Sequence, residues 1–425
     1  MRDAASAGSR HTALVAAMCA GQIGSLLPHM AFAALIPLFA RLWGLSAAES
    51  GAIAGGFFIG YALVVPVATS LTDRIDARSI LIPGCIVNAG ATFAFAAFAH
   101  DFTSAIVLWA MAGAGFGCAY MPGLRVLTDR LPPGDASRSI TYYTSSFSIG
   151  VGLSFLCTQL IADRLGWQWA FAVVGCGPLV MLAVALSLPR VHKAARATGH
   201  LLDFRPVLAN RPAMSFVLGY GAHCFELYAA RAWLVSYWLF TSTRTGAPSW
   251  LDTTIVSFVV TLLAMPASIL GNELALRIGR HRLIAGVMIV SALVALSLAS
   301  ATSAPWFVVL GLLLMHGFTT PADSGSLTAG MVGASDPDYR GATMALHSML
   351  GFGASFVGPL AVGLALDAFG GPGHASAWSA GYAVLAFTVL AGLPALRLGA
   401  ARRGSGSASG AGATGGTAGT GGKAS

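Results

Sequence analysis

The chain is divided into apolar runs, each long enough to cross a lipid bilayer, and no single motif limits the fold as strongly as this pattern does. A hydrocarbon core about 30 Å thick takes roughly 20 residues of helix. Twelve runs approach or exceed that length: 13–39, 49–71, 79–99, 104–127, 139–162, 167–188, 213–239, 251–275, 283–301, 305–328, 340–366 and 376–397. Only 9% of the 425 residues are charged and 56% are apolar, against about 25% charged in a soluble domain. Lipid must therefore be the main solvent. Unpaired backbone amides are too costly in lipid, which leaves helices or a closed barrel. Barrel strands alternate over about 10 residues, whereas these runs stay apolar throughout. The expectation is an all-α membrane protein with 12 transmembrane helices.

The formal charge of +8 does not point to nucleic acid, because the basic residues sit in short loops between runs and form no continuous patch. With both termini cytoplasmic, all 24 Lys and Arg fall on the inner side except Arg41, Arg164, Arg244 and the in-span Arg231. That bias predicts a multi-pass protein of a bacterial-type inner membrane in this orientation. All six cysteines lie in apolar runs without metal or disulfide spacing, so they are expected to fill the core, and no cofactor or metal is expected. The opening MRDAASAGSRH lacks a small-residue cleavage signal and leads into the first span. Beyond Arg403 the chain is Gly, Ser, Ala and Thr apart from Lys423, a composition expected to be disordered.

Two basic stretches, Leu71 to Ser79 and Leu274 to Arg282, close the second and eighth runs, and Leu71, Arg74 and Ile75 match Leu274, Arg277 and Ile278. The repeat divides the chain into a six-helix unit at 1–188, a cytoplasmic linker at 189–212, a second six-helix unit at 213–398 and a tail at 399–425. Repeats of this kind belong to proteins whose halves move around a central site. Glycine stripes at Gly51, Gly55, Gly56 and Gly60, and at Gly113, Gly115 and Gly117, permit close helix contact.

On these features the chain resembles the major facilitator superfamily of secondary transporters over residues 12–398. That family's loop G-x-L-A-D-R-x-G-R-R/K corresponds to residues 69–78, which keep Leu71, Asp73, Arg74 and Arg78 but lack both glycines. The later copy has Leu276 in place of the aspartate. Residues 163–171 are close to the family's D-x-x-G-W-R-W-x-F, with Gln168 for the arginine, and Asp367 to Gly370 echoes its start. The resemblance implies two pseudo-symmetric six-helix bundles and a cytoplasmic latch at Asp73. Bonds to Asp73 are expected from Arg74, Arg78 or Arg130, and Arg125 is expected to pair with Asp129 or Asp73. The fifth run lacks the Gly-Pro pair of the family's antiporters, while Gly358-Pro359 in the eleventh is expected to mark a kink.

The seventh run carries the densest polar set, with His223, Glu226 and Arg231. An isolated charged side chain at the bilayer centre costs about 2.5 to 3.5 kcal/mol on insertion scales, so such residues need a cavity or partners. Glu226 is a candidate proton carrier, since loss of water favours the neutral carboxyl. Arg231 can receive a substrate carboxylate in a fork. Alternatively, the two pair with each other or with neighbouring spans. Gln22 and His29 share a stripe beside a bend at Pro28, and His316 and Asp323 repeat that spacing around a helix interruption at 318–321. The resemblance places spans 1, 4, 7 and 10 around the cavity, with Tyr120 and His347 extending its lining and Asp323 as a second proton site.

The expected function is secondary active transport of a small polar solute, an organic anion, by proton-coupled alternating access through a monomer. The partners are solute, protons and lipid, with no nucleic acid. Efflux of a hydrophobic or cationic compound, and a non-transporting receptor or scaffold, are the alternatives. An enzyme is not expected, as no nucleophile-base constellation, zinc-spaced cluster or phosphate loop occurs in the chain.

Overall fold

In a computed structural model that describes residues 2–131, 136–191 and 203–400, the chain is helical throughout. The first part comprises α1 (Arg2–Ser25), α2 (Ala47–Leu71), α3 (Arg78–Phe98), α4 (Phe102–Gly117), α5 (Tyr120–Thr128), α6 (Ala136–Leu165), α7 (Trp167–Gly175) and α8 (Gly177–Ser187). The second part comprises α9 (Arg211–Thr245), α10 (Thr253–Leu262), α11 (Ala264–Ile278), α12 (Arg280–Ser300), α13 (Trp306–Thr319), α14 (Ser324–Ala334), α15 (Arg340–Ala368) and α16 (Ala375–Ala391). The expected linker falls partly, and the tail beyond residue 400 wholly, outside the described residues.

Among the described residues, ten stretches rather than twelve are long and apolar enough to cross a membrane. The other two are the first and seventh runs. The first stops as a helix at Ser25, turns through Leu26 to Met30, and resumes as the short helices Ala31–Ala34 and Ile36–Trp43. The seventh is a 35-residue helix, α9, whose polar residues lower its apolar character.

Proline accounts for several breaks, since it removes an amide donor and clashes with the preceding turn. At Pro28 the freed backbone is tied by neighbours: the Ser154 hydroxyl accepts from Met30 N at 2.9 Å and donates to Leu27 O at 2.7 Å, and Asn88 Nδ2 donates to Ser25 O at 3.2 Å. Pro321 sits in a 3-10 turn, Thr320–Asp323, between α13 and α14, the interruption expected there. At Gly358-Pro359, where a kink was expected, α15 continues without a break. The carbonyl of Pro359 is instead used by α9, whose Trp233 Nε1 donates to it at 3.0 Å.

Helices up to α8 pack mostly on one another, as do those from α9 onward, and two main seams, α2 with α15 and α6 with α10, join the two sets. The α2 glycines serve both kinds of contact. A Cβ on Gly51 would collide with Pro359 O across the seam, whereas one on Gly60 would collide with Ala110 O of α4. At one end of the α2–α15 seam the Asp367 carboxylate accepts the N–H groups of Ala47 and Ala48 at 2.9 and 2.8 Å, capping α2 from the other set of helices. At the opposite end Asp73 faces Gly341 at the start of α15. The α6–α10 seam holds a buried bond from Gln159 Nε2 to Ser257 Oγ, 2.9 Å. The six cysteines are free thiols; Cys85 and Cys224 fill the core as expected, while Cys176 is exposed because it lies on an outward face.

Candidate functional site

The site grows from α9, where Tyr220, His223, Glu226 or Leu227, and Ala230 or Arg231 recur at the three- and four-residue spacing of one helical face. The 3-10 turn beside α13 brings two partners against it. His223 Nδ1 lies 2.7 Å from Asp323 Oδ1, and His316 Nε2 lies 3.1 Å from Glu226 Oε1. The pairs are crossed, since α9 supplies one histidine and one carboxylate and the α13 segment supplies the complement. All four residues are at most 4% exposed. Glu226 Oε1 also accepts from the Ser291 hydroxyl of α12 at 2.7 Å, and Ser291 meets the Thr320 hydroxyl at 3.0 Å. Each carboxylate thus lies against an imidazole, hydrogen-bonded in the Glu226–His316 pair and close but not aligned for a hydrogen bond in the Asp323–His223 pair.

Glu226 and Arg231 do not pair, contrary to one of the two expectations for them. Arg231 is 8% exposed and makes no hydrogen bond or ion pair among the described residues. Its guanidinium carbon stands 5.6 Å from the centre of the Tyr228 ring. It lines a small cavity of about 30 Å³ whose polar wall is Thr261, His316, Thr320 and Tyr382, with Leu227, Leu234 and Leu313 among its apolar residues. Unlike a lysine, an arginine this buried keeps its charge and presents a planar fork of donors.

His29 occupies a separate position. Its ring meets Phe57, Phe58, Phe116, Phe147 and Tyr228 edge to face, with centroids from 5.0 to 5.9 Å away, and neither ring nitrogen has a hydrogen-bond partner among the described residues. Gln22 accepts from the Tyr143 hydroxyl at 2.8 Å, and its Nε2 has no partner among the described residues. Tyr120 stacks on Phe116 and Tyr143. His347 stacks on Tyr220 at 3.8 Å, with both ring nitrogens unpartnered among the described residues.

At the Asp73 end Arg125 pairs as expected, whereas Arg78 and Arg130 depart from expectation. Asp73 is 3.5 Å from Arg125, which also bonds Asp129 at 2.8 Å. Arg78 and Arg130 turn instead to the end of α8: Arg78 Nε donates to Ala185 O at 2.6 Å and Arg130 donates to Pro189 O. Arg130 is also 3.8 Å from Asp76, which accepts from Val191 N at 3.0 Å. Arg74 is exposed, and its side chain makes no hydrogen bond or ion pair among the described residues. The turn after α2 thus faces Asp73 toward α5 and α15 and Asp76 toward α8. Burial pushes the Arg130 guanidinium below its ordinary value, and Asp76 and Asp129 oppose that shift.

The sequence carried no signal for Ser291, Thr261 or Tyr382. A single hydroxyl in an apolar run is ordinary until a neighbouring helix places a carboxylate or guanidinium beside it.

The family model of the Major Facilitator Superfamily matches residues 16–359. The chain is 25% identical over 147 residues to the niacin transporter NiaP of Acinetobacter baylyi, covering 35% of this chain and 33% of that one. It is 26% identical over 149 residues to a gallate transporter of Pseudomonas putida, with 35% and 33% covered. To the quinolone resistance protein NorA of Staphylococcus aureus it is 22% identical over 219 residues, with 48% and 53% covered. The chain thus spans from a third to about half the length of these curated relatives. The solved structure of a D-xylose-proton symporter superposes with a TM-score of 0.71 at 14% identity, over 90% of this chain and 97% of that one, a likeness of fold.

Proposed function

We propose, from the premise that this chain belongs to the Major Facilitator Superfamily, that it is a secondary active transporter of a small organic anion, driven by protons through alternating access. The observation that carries the reading is the unpaired Arg231 on the wall of a cavity that also contains His316, one member of the His316–Glu226 pair. An anion is the partner that this guanidinium lacks. A carboxylate held in its fork would lie beside the imidazole, so that solute and proton sense each other's charge.

In this mechanism Glu226 and His316 share the coupling proton, with Ser291 holding the carboxylate in place. Asp323 and His223 form a second station farther along α9. Gln22, His29, Tyr120 and His347 extend the solute path. Asp73, Arg125 and Asp129 close one end and Asp367 the other, while Arg78 and Arg130 brace the first gate from α8. We read the first and seventh runs as membrane-crossing too, which makes twelve helices in two six-helix bundles at 1–188 and 213–398. The positive bias then places the Asp73 end in the cytoplasm of a bacterial-type cell.

Niacin and gallate, named for two relatives, are both carboxylates at neutral pH, in keeping with this reading. The quinolone resistance relative favours efflux of a larger compound. The cavity charge argues against a cationic solute: both carboxylates already face imidazoles, and the charge left without a partner is positive. The test is uptake of a carboxylate panel into proteoliposomes under an imposed pH gradient, with Arg231→Gln and Glu226→Gln. Arg231→Gln should abolish uptake, and Glu226→Gln should abolish uphill accumulation while sparing exchange. Uptake indifferent to Arg231→Gln and to the gradient, for every carboxylate tried, would sink the proposal.

A further inference from the structure

We infer that this protein binds a chloride ion between Arg231 and Thr261, and that chloride and the solute's anionic group compete for the guanidinium. The competition rests on the Arg231 reading above; the chloride site does not.

The polar wall of the cavity sorts by what each group is already bonded to. His316 Nε2 is 3.1 Å from Glu226 Oε1, and the Thr320 hydroxyl meets Ser291 at 3.0 Å. Glu226, the carboxylate on the same helix as Arg231, is held by His316 and Ser291. Two groups are left uncommitted. Arg231 makes no hydrogen bond or ion pair among the described residues, and Thr261 is 2% exposed with a buried Oγ1 that has no partner there either.

A threonine in a helix has an easy way to satisfy its hydroxyl, which is to bond the carbonyl one turn back. Thr92, Thr241 and Thr343 do this, reaching the carbonyls of Asn88, Tyr237 and Tyr339 at 2.7, 3.0 and 2.9 Å. Thr261, in the last turn of α10, does not, and it lines the cavity that Arg231 lines from α9. Buried polar groups are overwhelmingly bonded, so a spare hydroxyl facing the same space as a buried cation calls for a ligand that takes donors from both.

Charge and size select that ligand. A water accepts from the guanidinium but leaves its charge uncompensated away from bulk solvent, whereas an anion offsets it. The Tyr228 ring, 5.6 Å away, supplies a partial offset through its face. The cavity is about 30 Å³, and about 10 to 15 Å³ takes one water. It therefore admits a monatomic ion with at most a water beside it, and not a carboxylate carrying a body. The rest of the wall includes Leu227, Leu234, Val260 and Leu313, an apolar lining that suits a weakly hydrated halide, as does the weakly hydrated guanidinium.

The experiment is a thermal melt of the purified full-length protein in detergent, with sodium chloride replacing sodium gluconate at constant ionic strength, for the wild type, Arg231→Gln, Thr261→Val and Thr261→Ser. Chloride should raise the wild-type Tm saturably, as a ligand of the folded state does, and bromide should substitute for it. Arg231→Gln should abolish the shift. Thr261→Val keeps the shape and loses the donor, and should weaken the apparent chloride affinity about tenfold; Thr261→Ser should largely restore it. A wild-type Tm equal in chloride and gluconate overturns the inference, and so does a full chloride shift in both Arg231→Gln and Thr261→Val. In vesicles, chloride should raise the KM for a carboxylate and leave its maximal rate unchanged. No chloride effect on the melt, with carboxylate uptake still abolished by Arg231→Gln, sinks the chloride site and spares the anion reading. A chloride shift lost in Arg231→Gln, with carboxylate uptake indifferent to that variant, supports the chloride site and sinks the anion reading together with the competition.

Discussion

Asp367→Ala should weaken the closed α2–α15 seam at the end remote from Asp73. In the structure the carboxylate accepts two backbone N–H groups at the start of α2, Ala47 at 2.9 Å and Ala48 at 2.8 Å. The positive end of the helix dipole favours the negative charge there. Two charge-assisted bonds would contribute several kcal/mol if buried. Asp367 is exposed, so solvent screening reduces the pair to about 1 to 2 kcal/mol, the range of a capping interaction. Because these bonds cross the seam, the whole loss falls on the closed arrangement, and 1 to 2 kcal/mol changes a two-state ratio by about 5- to 30-fold. The assay places a cysteine at Ser50, 1% exposed near the start of α2, in a background with the six native cysteines replaced. Its alkylation by a charged maleimide should accelerate by about 5- to 30-fold in Asp367→Ala, and Asp367→Glu should recover part of the protection. A rate within about twofold of the parent would show that these two bonds do not hold the seam.

Other perturbations test separate parts of the argument. Arg231→Lys retains the charge but loses the planar fork, and should raise the KM for a carboxylate solute by about tenfold or more in vesicle uptake. Ser291→Ala removes the hydroxyl that donates to Glu226 at 2.7 Å; a melt in detergent should show a loss of about 1 to 3 kcal/mol. Away from the membrane, Asp101 caps α4, and the bonds from Ser104 hold its carboxyl below its ordinary 3.8. A folded-state value below the unfolded one means that this stabilisation is present at neutral pH and is lost as pH falls through the lowered value. Ser104→Ala should move the Asp101 titration upward in carboxyl NMR, and an unmoved midpoint would refute the assigned cause.

Much of the fold was legible because solvent and backbone chemistry act locally. Runs of about 20 apolar residues leave helix as the structure that satisfies their amides in lipid, and Pro28 and Pro321 stand at helix breaks, although α15 continues through Pro359. Even so, ten described stretches rather than twelve meet the length and apolarity needed to cross a membrane, because α1 ends at its break and α9 carries the polar set. The candidate site was legible only as an inventory. Spacing aligned His223 with Glu226 and His316 with Asp323, but which histidine meets which carboxylate depends on the rotation and axial shift of α9 against α13.

The same division holds elsewhere. Glycine spacing announced close packing on α2, yet only the assembled helices decide that Gly51 meets α15 and Gly60 meets α4. The resemblance singled out Asp73, but Arg130 went to Asp76, three residues on, because the intervening turn faces α8. Arg231 was visible as a charge inside a span; that it meets the Tyr228 ring and no carboxylate among the described residues became visible only when every neighbouring helix was in place. Composition and local covalent geometry determined the solvent, the helices and their breaks, whereas the chemistry of the site was decided by contacts between helices distant in sequence, which local spacing does not encode.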